Sequence, residues 1–114
     1  MNNDNFTLDK NTRILTWKIN KKINSIENVD QFRIYDNMII FIVSDLTKIK
    51  GVLENGETVF ESHAPSGFKF SYLTTHPESK MAVVCSSEIQ VSGWNDWIFS
   101  ISTVGLGGKM SPAY

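Results

Sequence analysis

The sequence predicts an all-β chain of antiparallel meanders arranged as an open, incomplete (half) β-propeller. The alternative is a β-sandwich or barrel. Three observations carry this. Residues 31–61, QFRIYDNMIIFIVSDLTKIKGVLENGETVFE, fall into four short apolar or β-branched runs separated by Asp, Asn and Gly turn chemistry. A second set of four runs follows at 68–103. The two sets echo each other at the spacing of propeller blades, roughly 40–45 residues per four strands.

Taken in order, residues 1–5 are polar and read as a frayed end. FTL, a DKNT turn and RILTWKI form an outer hairpin over residues 6–19, in which Ile14, Thr16 and Lys18 alternate with Leu15, Trp17 and Ile19. That period of two marks a sheet with one buried face. Residues 20–30 carry Lys-Lys, Asn-Ser and Glu-Asn pairs and read as a connector. The first blade then spans 31–61, with runs at 31–35, 38–44, 49–53 and 57–61. Its breaks, Asp36-Asn37, residues 45–48 and Glu54-Asn55-Gly56, tolerate the positive φ of tight hairpins.

SHAPSG at 62–67 is punctuation, because Pro65 cannot donate to a ladder and Gly67 frees the backbone. The second blade spans 68–103, with runs at 68–74, 81–86, 88–92 and 97–103. The remaining residues, 104–114, hold three glycines and a proline and read as a loose tail. Phe32-Arg33-Ile34 answers Phe68-Lys69-Phe70, and 39–43 answers 81–85. VLENGETVF at 52–60 answers VSGWNDWIF at 91–99, so that positions 59 and 98 lie 39 residues apart. The outer hairpin reads as a third copy of this last pair. All of this places residues 1–114 in a single all-β domain. Closed propellers typically need about 4–8 blades, so one hairpin and two blades leave an open array whose edges must be covered, charged or paired.

Composition narrows the function classes. With 41% hydrophobic and 20% charged residues the chain is an ordinary globular sequence of 114 residues. A net charge of −1 gives no electrostatic footprint for nucleic acid, and Lys18, Lys21 and Lys22 form the one small basic cluster. No uncharged apolar run reaches the ~18 residues of a membrane span, and MNNDNFTLDK lacks the basic start and apolar stretch of a secretory signal. The single cysteine builds no disulfide framework. A cytoplasmic protein is the expectation, with neither nucleic acid nor membrane as partner. Arginine occurs only at 13 and 33 while Ile, Asn and Lys abound, the residue usage of AT-rich bacterial coding sequence.

Catalytic chemistry is not written into the motifs. There is no P-loop, GxGxxG, CxxC or GxSxG, and Gly105-Leu106-Gly107-Gly108 is too loose to cradle a phosphate. Cys85 lies in the apolar run MAVVCSS and reads as a small buried hydrophobe. His63 and His76 lie in loops, without metal-ligand spacing to each other or to Cys85. No catalytic residue, cofactor or metal is therefore expected, and the chain is read as a binder rather than an enzyme. Glu54, Glu57 and Glu61 flank one hairpin, and Glu88 and Asp96 flank its repeat partner. Trp17 and Trp97 belong to the core, whereas Trp94 sits in a turn and reads either as folded onto its own hairpin or as an interface anchor. Tyr114 admits the same two readings.

The open-array reading, with FRIYDNMIIFIV and VLENGETVF as its echoes, resembles immunity proteins of bacterial contact-dependent growth inhibition systems, some of which look like half-propellers. The resemblance spans residues 6–103. It implies a stoichiometric inhibitor that binds the C-terminal, nuclease domain of a cognate toxin in the cytoplasm and occludes its active site. Such active sites are electropositive because they grip phosphates, so carboxylates and an aromatic plug are the groups an inhibitor would offer. The protein-binding residues expected on this reading are Glu54, Glu57, Glu61, Trp94 and Asp96, on equivalent outer hairpins; the loops 63–67 and 75–80 are the competing surface. The alternative function is a non-catalytic interaction or scaffold module that self-associates, a possible homo-oligomer.

Overall fold

The computed structural model describes residues 5–35, 37–74, 81–91, 94–102 and 105–112. Eleven strands are described: β1 (Phe6–Asp9), β2 (Ile14–Ile19), β3 (Lys22–Ile26), β4 (Val29–Tyr35), β5 (Met38–Val43), β6 (Lys48–Val52), β7 (Thr58–His63), β8 (Phe68–Thr74), β9 (Ala82–Val91), β10 (Trp94–Ser102) and β11 (Gly105–Pro112). They form three antiparallel sheets, each joined in chain order: β1-β2-β3, β4-β5-β6-β7 and β8-β9-β10-β11. None of the sheets closes on itself. The all-β, open architecture is the one the sequence predicts, and the three sheets are compatible with an incomplete propeller or a layered sandwich. Among the described residues no helix is long and apolar enough to cross a membrane.

The middle sheet explains the most apolar run in the chain. Met38, Ile40 and Ile42 of β5 join Phe70, Leu73, Val83, Cys85, Trp97 and Phe99 in one core, between the second and third sheets. Their neighbours Ile39 and Phe41 point the other way and pack with Phe6, Leu15 and Trp17 of the first sheet. Alternate side chains of a strand leave opposite faces, so MIIFIV is apolar throughout because both faces of β5 are covered. Each fully buried Ile or Phe contributes roughly 1.5–3 kcal/mol relative to exposure. The layers run first, second, third.

Backbone bonds at the strand ends either join successive sheets (Val29 to Arg13, Phe70 to Leu46) or extend the ladders of the second sheet (Ser44 to Asn28, Ala64 to Thr47). Val29 N–H donates to the Arg13 carbonyl (2.9 Å) and Ser44 N–H to that of Asn28 (2.8 Å). Phe70 N–H donates to the Leu46 carbonyl and Ala64 N–H to that of Thr47, both at 2.8 Å. Arg13 and Asp30 make an exposed ion pair at 3.4 Å.

Four strand assignments need correction. The connector expected at 20–30 contains β3 and the start of β4. A two-residue turn closes β2 onto β3, with Asn20 at φ 48° and Lys21 at φ 69°. Two successive positive φ values are the type I′ geometry usually signalled by Asn-Gly, and lysine hid the signal. The runs at 81–86 and 88–92 are one continuous strand, β9. Residues 105–112, expected in a loose tail, form β11 and pair with β10 through Phe99↔Met110 and Ile98↔Ser111.

The last correction concerns the repeat. FRI/FKF and 39–43/81–85 do fall on corresponding strands, β4 with β8 and β5 with β9. The echo of 52–60 with 91–99 instead matches a third–fourth strand pair, β6–β7, with a second–third pair, β9–β10. It is a likeness of turns, not a structural register. The expected outer hairpin at 6–19 likewise belongs to a three-stranded sheet.

Candidate protein-binding surfaces

The acidic hairpin is built by β6, β7 and a turn at 53–57. Gly56 takes φ 92° there, a conformation that L side chains rarely adopt. Leu53 N–H donates to the Glu57 carbonyl (2.8 Å), Gly56 N–H to the Leu53 carbonyl (2.8 Å), and Glu57 N–H to Asn55 Oδ1 (3.0 Å). The turn is anchored to the first sheet by Trp17, whose indole Nε1 donates to the Glu54 carbonyl at 2.9 Å. Trp17 itself is buried. A core tryptophan thus positions an acidic turn.

Strand β7 is a sheet edge, bonded only to β6 within its sheet. The register shifts so that Gly51 faces Phe60 while Val52 faces Thr58, which leaves Val59 as the extra residue of a bulge. Val59 is 42% exposed. Bulges of this kind twist an edge away from pairing with another sheet. Glu57 and Glu61 are exposed on either side of it, and Glu54 is half-buried in the turn. Lys48 lies 3.7 Å from Glu61, and Lys50 faces Glu61 across the ladder. Part of the charge of Glu61 is therefore offset locally, and the tip of the hairpin carries the acidic character. The ion pair is exposed on both sides and adds about 0–1 kcal/mol.

Trp94 and Asp96 lie elsewhere. Both belong to β10, with Trp94 paired to Val91 and Asp96 to Ser86; the Trp94 side chain lies outside the described residues. Asp96 is half-buried and accepts a hydrogen bond from Ser86 Oγ at 2.8 Å. The bonds of Phe70 to Leu46 and of Ala64 to Thr47 place the start of β8 at the β5–β6 end of the stack. Strand β9 returns to that same end, so the β9–β10 connection sits there, whereas the β6–β7 turn sits at the opposite one. The expectation that the five residues occupy equivalent hairpins is corrected: Glu54, Glu57 and Glu61 share one hairpin, and Trp94 and Asp96 belong to a different sheet and end.

The remaining chemistry-bearing residues are quickly placed. Cys85 is fully buried, and burial pushes its thiol up to about 12, so it stays protonated at neutral pH. His63 is exposed at the end of β7, while His76, the loop 75–80 and Tyr114 lie outside the described residues. Among the described residues no group of three or more His, Cys, Asp or Glu side chains could hold a metal ion. At the β5–β6 turn, Asp45 Oδ1 accepts from Thr47 N–H (3.0 Å) and Thr47 Oγ1 (2.7 Å). The bond from the Thr47 backbone, then that from its hydroxyl, holds the Asp45 carboxyl below its ordinary value.

One surface escaped the sequence reading altogether. Strict alternation from Phe68 and Phe70 would turn Tyr72 inward. A register shift between Phe70 and Tyr72 reverses this, so that Leu73 enters the core at 2% exposure and Tyr72 is left 48% exposed. Tyr72 shares the outer face of the third sheet with Val84 and Ile98, its neighbours across β9 and β10. Ser71 is unremarkable in sequence, and nothing there signals the bulge. Comparison of the chain with protein-family models, curated proteins and solved structures finds no significant match.

Proposed function

We propose that this protein is a non-catalytic binding protein that neutralises a cognate toxin domain by occluding its active site, with the β6–β7 hairpin as the docking edge. The observation that carries the reading is the combination on that hairpin of Glu54 and Glu57 at a hydrogen-bonded tip with the exposed Val59 bulge beside Glu61. A tip held by Trp17 and by its own hydrogen bonds would have little ordering left to do on binding, which lowers the entropy cost of association. Carboxylates facing a phosphate-gripping site raise the association rate, and a desolvated apolar contact beside them slows dissociation.

The test is co-expression with the C-terminal domain of a toxin encoded beside this protein, followed by titration calorimetry. The reading predicts a one-to-one complex that suppresses the toxic activity. Reversing two charges together, Glu54→Lys with Glu57→Lys, is expected to weaken that complex by roughly 10- to 100-fold. Absence of a complex, or an unchanged affinity of the double variant, counts against it.

A further inference from the structure

We propose that the edge of β1 away from β2 accepts an extended strand from a partner protein, one whose alternate side chains are apolar and face the second sheet. The proposal uses other residues than the β6–β7 hairpin and does not depend on the toxin reading. Two turns align the first sheet with the second. Arg13, between β1 and β2, has φ 60°, and its carbonyl accepts the Val29 N–H at the start of β4 (2.9 Å). Leu46, between β5 and β6, has φ 66°, and its carbonyl accepts the Phe70 N–H of β8 (2.8 Å). Each turn also holds an aspartate, Asp9 or Asp45, whose Oδ1 accepts from backbone N–H groups of the turn. Strands β1 and β2 therefore correspond to β5 and β6. Strand β3, which leads into the second sheet, corresponds to β7, which leads into the third. Beside β5 stands β4; among the described residues, β1 is paired with β2 alone.

Burial marks the same place. Leu8 and Ile42 both face the next sheet, paired across their ladders with the buried Leu15 and Ile49. Ile42 is fully buried, whereas Leu8 is only half-buried. On the layer beneath, Phe32 and Ile34 of β4 face the first sheet as Phe68 and Phe70 of β8 face the second. Phe70 is fully buried, whereas Phe32 and Ile34 are half-buried. The ring of Phe6 lies 6.0 Å from that of Phe32, so β4 runs beneath the β1 edge. Leu8, Phe32 and Ile34 thus form an apolar ledge along that edge. The strand that fills the corresponding position in the second sheet, β4, sets what fits here. It is an antiparallel strand that extends the backbone ladder and lays apolar residues i and i+2 on the ledge. Its outward residues stand level with the exposed Thr7 and Asp9, where a Lys or Arg complements the acid. A second copy fits poorly. Pairing β1 with β1 about a two-fold axis would bring each copy's β4 beneath the other's β1, where the other's own β4 already lies.

The probe is a synthetic peptide with the sequence of residues 30–36, DQFRIYD, which sets Phe and Ile on one face with Arg between them on the other. Fluorescence anisotropy of the labelled peptide against the folded chain reads binding, and amide hydrogen exchange reads where it occurs. Saturable binding with slowed exchange along β1 is expected. Leu8→Glu and Ile34→Glu, each checked for folding by circular dichroism, are expected to weaken it by ~10-fold or more. A peptide N-methylated along the edge that faces β1 keeps its side chains but loses its ladder donors, and is expected to lose ~10-fold or more against the natural chain, with no variant required. The absence of saturable binding overturns the proposal. So does binding indifferent to both substitutions or to N-methylation, or slowed exchange at another strand edge. Binding that appears only once residues 1–4 are deleted would assign the edge to the chain itself and overturn the proposal equally.

Discussion

Gln31 on β4 holds open the bulge of β8: its Oε1 accepts the Leu73 N–H at 2.7 Å while its Nε2 donates to the Ser71 carbonyl at 3.1 Å. The side-chain amide stands in for a strand, satisfying backbone groups that the bulge removes from regular pairing. The same bond pair joins the second sheet to the third. Gln31→Ala would leave the part-buried Leu73 N–H without this partner, at a cost of about 1–3 kcal/mol. Gln31→Glu keeps the acceptor but sets a carboxylate oxygen against the Ser71 carbonyl and the Asp30 carboxylate, to which the amide nitrogen now donates, so at neutral pH its loss is expected to be at least as large. Urea unfolding reads both, and an alanine variant as stable as the natural chain would show that the clamp contributes nothing.

Tight packing beneath β7 makes a second expectation. A Cβ at Gly51 would run into the ring of Phe60, its partner across the ladder. Gly51→Ala is expected to destabilise by about 1–3 kcal/mol through overpacking. Phe60→Leu in the same chain should return part of that loss, so that the two substitutions are less than additive. Strict additivity in thermal or urea unfolding would place the strain elsewhere.

How much of this was legible in sequence follows from what the turns are made of. The second sheet could be read because Asp36-Asn37 and Glu54-Asn55-Gly56 are the residues that tolerate positive φ, and Asn37 and Gly56 indeed take it, at 59° and 92°. Strand β3 was hidden by Asn20-Lys21, where a lysine adopts the same geometry without advertising it, and by the exposed Ile23, which breaks alternation at 69% exposure. Strand β11 was hidden by its glycines and proline, whose local preference for irregular structure loses to pairing with β10. The acidic hairpin was visible because turn carboxylates sit next to one another in the chain. The face of Tyr72 was not, because it depends on a bulge at Ser71 that a side chain 40 residues away, Gln31, stabilises.

The indole of Trp17 links the core to the candidate binding edge. Trp17→Phe retains most of the apolar volume but deletes the donor to the Glu54 carbonyl. A stability loss of about 1–2 kcal/mol is expected, together with faster amide exchange at Gly56 and Glu57. Unchanged exchange in the turn would mean that its own bonds suffice to order it.

Acid acts on the β5–β6 turn. The Asp45 carboxyl lies below its ordinary value of 3.8 in the folded chain, mainly because Thr47 N–H and hydroxyl donate to it. A depressed folded-state pKa favours folding above the ordinary value and loses that contribution as pH falls through the folded one. Stability is therefore expected to decline below about pH 4 in the natural chain, and to decline less steeply in Asp45→Asn. Parallel acid profiles for the two would remove Asp45 from the account.

The most direct measurement is the affinity of this protein for the C-terminal domain of a toxin encoded beside it, taken for the natural chain and for Glu54→Lys/Glu57→Lys. Tight one-to-one binding that quenches the toxic activity, and that weakens by roughly 10- to 100-fold on charge reversal, is the predicted result. No binding, or binding indifferent to the two glutamates, would contradict the acidic hairpin as the docking edge.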